Sequence, residues 1–115
     1  MKSLTNSKKN LPNEQQPLET ELKFDSGVTR AMLSGICRHT IRLGRRRFQP
    51  TIHIHGYTAQ VVYYKHTTLL HTDMLLLASE FGWHTMFSAL LGLQKYYPGV
   101  TINDTITLVK YRLLV

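Results

Sequence analysis

The chain has 115 residues, enough for one domain with a single core, and 43% of them are hydrophobic, an ordinary share for a globular protein. A single cysteine, Cys37, excludes an internal disulfide framework and a four-cysteine zinc site. The formal net charge of +7 comes wholly from one interval, Ser26 to Thr72, which holds seven basic residues and no acid, while the rest of the chain balances at seven of each sign.

Residues 1–23 are rich in Asn, Gln, Ser, Lys and Glu with two prolines, and their few leucines fit neither a helical nor a strand period. Such a segment cannot bury enough apolar surface to offset its ordering entropy, so it is expected to be a flexible polar tail with a short extended end near Glu21 to Phe24. The folded domain is expected over residues 24–115. The lysines of the first ten residues are followed by no apolar core, which argues against a secretory signal, and no run of about 18 apolar residues offers a membrane span. A reducing, cytoplasmic setting is the expectation. From Gly27 onward Val28, Met32, Leu33 and Ile36 recur at helical spacing, with Ser34-Gly35 marking the end of a short helix.

Thr40-Ile41-Arg42-Leu43 alternates as a half-buried strand does, with Thr40 and Arg42 on one face and Ile41 and Leu43 on the other. Gly44 to Arg47 reads as a loop and Phe48-Gln49-Pro50 as the turn into the next strand. Thr51 to Tyr57 alternates again, and Thr58 to Lys65 continues in β-rich residues after Gly56, which together suggest a hairpin. Thr72 or Asp73 can cap a helix over Met74 to Phe81 that Gly82 ends. Thr85 can cap a second helix carrying Met86, Leu90 and Leu93, which Tyr96-Tyr97-Pro98-Gly99 stops. Thr105 to Leu113 is the last strand. The order helix, strands, two helices, strand points to a small α+β domain with a largely antiparallel sheet or barrel.

The basic residues are concentrated further still. Arg38, Arg42, Arg45, Arg46 and Arg47 fall within ten residues, and with Lys65 they make the candidate nucleic-acid-binding set. Guanidinium groups are planar forked donors that match phosphate oxygens. Arg42 is the foremost candidate for a phosphate or base contact, with a structural ion pair to Glu80 or Asp73 as its alternative. Arg38 and Arg45 to Arg47 suit diffuse backbone contacts, for which about four phosphates on a single strand give a log-log salt slope of roughly −3. Tyr57, Tyr63, Tyr64 and Trp83 could stack unpaired bases, against a competing role in the core. Cys37 lies among arginines with His39 two residues on, yet no third orienting group accompanies it, so a structural thiol is expected. His53 and His55 share a strand face without an evident third ligand, and neither a metal nor a cofactor is expected.

The string SGICRHTIRLGRRRFQP, then ASEFGW at the end of the first of the two later helices, then YYPGVTINDTITLVKY, resembles the ASCH domain, a β-barrel related to the PUA RNA-binding fold. The resemblance covers roughly Ser26 to Tyr111 and implies a small PUA-like (ASCH) β-barrel with two to three flanking helices, of the short stand-alone kind found in bacteria and their phages. The family pattern of Gly, a variable residue, Lys, two variable residues and Thr-Ile-Arg is matched by Gly35, Thr40, Ile41 and Arg42, with Cys37 at the lysine position. Pro50-Thr51 replaces the family's Pro-Gly turn. In the branch that hydrolyses acetylcytidine, the resemblance assigns catalysis to that lysine, to the threonine matching Thr40, and to a helical glutamate. Here the nearest acid is Glu80, one position before the family's place, where this chain has Phe81. The leading expectation is therefore binding of RNA or a nucleotide, with DNA as a further candidate, in a basic cleft formed by Thr40 and Arg42. The alternative is an amidohydrolase that removes acetyl from acetylcytidine with an altered set, Thr40 with Glu80 or Cys37. A third possibility is a phage protein whose basic face occupies a host protein. No membrane partner is expected.

Overall fold

The computed structural model describes residues 17–24 and 37–114. The expected helix near Val28 to Ile36, with Gly35, and most of the expected tail lie outside the described residues.

Local chemistry sets the element ends. The Asp73 carboxylate accepts the Leu75 amide at 2.9 Å and starts helix α1, Met74–Phe81. Gly82, at φ 73°, closes α1 in the left-handed conformation that glycine adopts without steric cost. Helix α2, Met86–Gln94, starts on a reciprocal box in which Thr85 and Ser88 each accept the other's main-chain amide. The described residues also form five strands: β1, Glu19–Leu22; β2, Cys37–Leu43; β3, Phe48–Ile54; β4, Tyr57–Thr68; and β5, Thr105–Leu113. His55 and Gly56 both have positive φ, as a two-residue hairpin turn requires, and they join β3 to β4.

The strands form one mixed sheet in the order β1-β3-β4-β5-β2. Every pair is antiparallel except β1 with β3. The sheet curls into half a barrel, which bears out the expected α+β class. Two cores follow from strand alternation. Leu22, Phe48, Ile52, Ile54, Ala59, Val109, Tyr111 and Leu113 fill the concave side. Ile41, Ile106 and Leu108 face the other way and pack with Leu69, Leu77, Ala89, Leu93 and Val100 beneath the helices. No single helix among the described residues is long and apolar enough to cross a membrane; α1 and α2 meet at a bend of 51° and bury Leu77, Ala89 and Leu93.

Two local expectations change. The extended end expected near Glu21 to Phe24 is strand β1, which begins two residues earlier and ends at Leu22: Leu22 is buried, and the Glu19 amide donates to the Arg47 carbonyl at 2.7 Å. Phe48-Gln49-Pro50 belongs to β3 and is not a turn. Pro50 is tolerated there because the β3–β4 ladder begins at Thr51 and the β1–β3 register is interrupted between Glu19 and Glu21.

Candidate functional site

The two edges of the half-barrel, β1 and β2, face each other across a seam, and Arg42 stands in it. A cavity of about 570 Å³ opens over the outer edge of β2 toward the end of α2, lined by Thr40, Ile41, Arg42, Phe81, Trp83, Lys95, Tyr96 and Tyr97 with Lys23, Phe24 and His39. A second, of about 530 Å³, runs along β1 and shares Lys23, Arg42 and Tyr97 with the first.

Alternation along β2 decides what enters the seam. Arg38, Thr40 and Arg42 pair across the ladder with Tyr111, Val109 and Thr107, and so face the concave side. The Arg42 guanidinium lies over the Phe24 ring, 4.7 Å from its centroid. Its Nε and Nη2 are buried and have no hydrogen-bond partner among the described residues. Two buried guanidinium nitrogens without an acceptor are unfavourable, so this group favours a bound anion; Glu19 and Glu21, which line the second cavity beside Arg42, are paired with Arg46 and Lys23. The alternative of an ion pair to Glu80 or Asp73 does not occur: Asp73 caps α1, and Glu80 binds His39. Tyr111 sits under this region, with its ring 5.7 Å from that of Phe24. Burial pushes its phenol up to about 12, against the pull of the Arg38 and Arg42 charges and with a small push from Glu80.

The wall opposite Arg42 is aromatic. Trp83 stacks on Phe81 at 4.7 Å with the planes 18° apart. The indole lies flat against Gly92, where no side chain intervenes. Tyr96 and Tyr97 close the side beyond α2, and no carboxylate lines this cavity among the described residues. The β2 edge adds main-chain groups. The His39 amide points away from β5 to Glu80, and Ile41, two residues on, presents its amide on the same side.

The basic loop after β2 is fixed from several sides. Thr107, fully buried, accepts the Arg46 amide at 2.9 Å and donates to the Gly44 carbonyl at 2.7 Å. The His66 ring donates to the Arg46 carbonyl at 2.9 Å, and the Arg46 guanidinium pairs with Glu19 at 3.3 Å. Arg45 is exposed; Arg38 and Arg47 are half-buried and have partners of their own. Lys65 is exposed on the opposite face of the sheet, across from Leu108. The expected set of six is thus divided: Arg42 and Arg46 line the cavities, and Lys65 lies away from them.

The expected catalytic set is divided too. Thr40, 8% exposed, lines the larger cavity. Cys37, three residues earlier, is exposed on the other face of β2. Glu80 accepts the His39 amide at 2.7 Å, and its carboxylate lies 3.5 Å from His39 Nδ1. Of the expected stacking residues, Trp83 lines the cleft, Tyr57 and Tyr63 are exposed, and Tyr64 packs against Phe48 in the core. Phe24, Phe81, Lys95, Tyr96 and Tyr97 were not singled out as site residues from the sequence. In the sequence Tyr96-Tyr97 reads only as part of a helix stop, and no local signal marks the other three for a cleft. No protein-family model, no curated protein and no solved structure matches this chain.

Proposed function

We propose that this chain binds a nucleotide, free or within RNA, in the cleft between β2 and α2, on a small PUA-like barrel of the ASCH kind. The observation that carries the reading is Arg42, which lines an aromatic cavity without a carboxylate among the described residues and has two buried guanidinium nitrogens unpartnered among them. A planar base suits the Phe81–Trp83 side, and a phosphate suits Arg42 and Lys95. The Thr40 hydroxyl and the β2 edge amide of Ile41 supply polar groups for a base edge. The resemblance of the Thr40-Ile41-Arg42 segment to the ASCH domain supports the same assignment.

The test is titration of the four ribonucleoside monophosphates, with the matching nucleosides alongside, read by the fluorescence of Trp83, the sole tryptophan. The monophosphates should bind more tightly than the nucleosides. Arg42→Ala should weaken them roughly 10- to 100-fold, the equivalent of about 1.5–3 kcal/mol for a hydrogen bond to a charged group. Absence of binding by a folded protein overturns the reading. Thr40 in the cleft wall also supports acetylcytidine as a substrate to test. Cys37 on the opposite face and Glu80 engaged with His39 favour binding over hydrolysis, so no Thr40-dependent release of cytidine is expected.

A further inference from the structure

Among the described residues, α1 and α2 cover only part of the sheet's outer face. Along β5, Ile106 and Leu108 lie beneath α1 and α2, and the same row continues with Lys110 and Arg112 past the buried cluster. The ladders extend that continuation sideways into two cross-strand rows, His39–Lys110–Tyr63 and Cys37–Arg112–Gln60. Thr51 of β3 stands next to Gln60. Cys37, Thr51, Gln60, Tyr63 and Arg112 are all exposed. The Tyr63 ring is 39% exposed, edge-on to the His39 ring at 5.9 Å, with Lys110 Nζ 6.0 Å from its centroid. Arg112 is held in place by donating to Gln60 at 2.9 Å. No carboxylate stands in either row, and Glu80 beside them is engaged with His39.

We propose that this bare face is a platform for single-stranded nucleic acid that continues out of the cleft: a neighbouring base stacks on Tyr63 while Lys110 and Arg112 take the flanking phosphates. His39 joins the two surfaces, since it lines the cleft and its Nε2 is hydrogen-bonded to the Tyr63 hydroxyl at 2.9 Å. The charge is complementary to a phosphate backbone, and an exposed ring beside Lys110 suits an unpaired base better than a duplex, whose bases are stacked away. The proposal rests on the cleft binding a nucleotide, and it makes the physiological ligand a strand of several residues.

The experiment compares a mixed-sequence single-stranded oligoribonucleotide of eight residues, the same sequence as a duplex, and the four ribonucleoside monophosphates. Each is titrated against the wild type, Tyr63→Ala and the double variant Lys110→Gln with Arg112→Gln, with thermal melts to establish folding. The single strand should bind at least tenfold more tightly than any monophosphate and than the duplex. Tyr63→Ala should weaken the single strand roughly 5- to 150-fold, as loss of about 1–3 kcal/mol of base stacking does, and weaken the monophosphates far less. The double variant should flatten the log-log salt slope by about 1.4, the share of two phosphate contacts on a single strand. Monophosphate binding with no gain for the strand, or a gain indifferent to both variants, overturns the platform and leaves the cleft standing. Equal binding of the duplex also overturns it. Strand binding that Tyr63→Ala weakens, without monophosphate binding, overturns the nucleotide cleft and with it a platform that continues from it, leaving base stacking on Tyr63 alone. No binding of any ligand overturns both.

Discussion

Glu80 accepts the main-chain amide of His39 at 2.7 Å, joining α1 to the outer edge of β2 across 41 residues of chain. The bond satisfies a donor that the sheet leaves unpaired and fixes the helix over the strand that carries Thr40 and Arg42. Hydrogen bonds to charged groups contribute about 1.5–3 kcal/mol, and this partly exposed one belongs at the lower end. Glu80→Ala should therefore lower the melting temperature by several degrees. Glu80→Gln, which keeps an acceptor oxygen, should lower it less, and equal losses in the two would attribute the effect to the carboxylate's charge.

Gly92→Ala sets two effects against each other. In a helix interior the change ordinarily stabilises by about 1 kcal/mol. Here a methyl group would run into the Trp83 indole, a rigid ring already stacked on Phe81. The clash should win: the variant should melt below the wild type, shift the Trp83 emission maximum and bind the cleft ligand less well. A rise in melting temperature with unchanged emission would show that the ring gives way freely.

Thr107→Val removes a hydroxyl with two partners and keeps the side chain's shape. The Arg46 amide and the Gly44 carbonyl then lose their bonds at a partly buried site, at a cost of about 1 kcal/mol for each group left unsatisfied. Denaturant unfolding should report that loss. Hydrogen exchange should speed up at the Arg46 amide more than in the β3–β4 hairpin, since the loop loses its anchor while the ladder does not.

Tyr111 gives an alkaline limb to the stability curve. Its phenol is pushed up to about 12 by burial, from the ordinary value near 10, so the folded state holds the proton more tightly than the unfolded chain. The associated stabilisation is complete below about pH 10 and is lost as pH rises through 12. Denaturant midpoints measured from pH 9 to 12 should fall over that window. Tyr111→Phe should flatten the fall and remove a step near pH 12 from the phenolate absorbance titration.

The elements legible in the sequence were those with chemical punctuation. Asp73, Thr85 and Gly82 mark helix ends by capping, and the β-branched run from Thr105 needs no partner to be recognised as a strand. Only the end of β1 was legible, as an extended stretch near Glu21, because Glu19-Thr20-Glu21 carries no apolar pattern; pairing with β3 and one buried leucine place the strand. Pro50 looked like a turn because proline cannot donate to a ladder, and the register interruption that accommodates it is a tertiary fact. Arg42 and Thr40 were legible as a strand face. Their aromatic counterparts were not, since nothing local brings Phe24 from one edge of the sheet and Trp83 from beyond a helix to the same cleft.

The ladder order also carries a timing constraint. Strand β2 has one partner in the sheet, β5, and the residues they align, such as Arg42 with Thr107, are separated by most of the domain. During synthesis the strand carrying Arg38 and Arg42 is made early and then waits, since its one ladder partner among the described residues is β5. A nascent chain therefore carries its full positive charge well before it has a shaped cleft, and whatever selectivity that cleft provides begins only once β5 has emerged and docked.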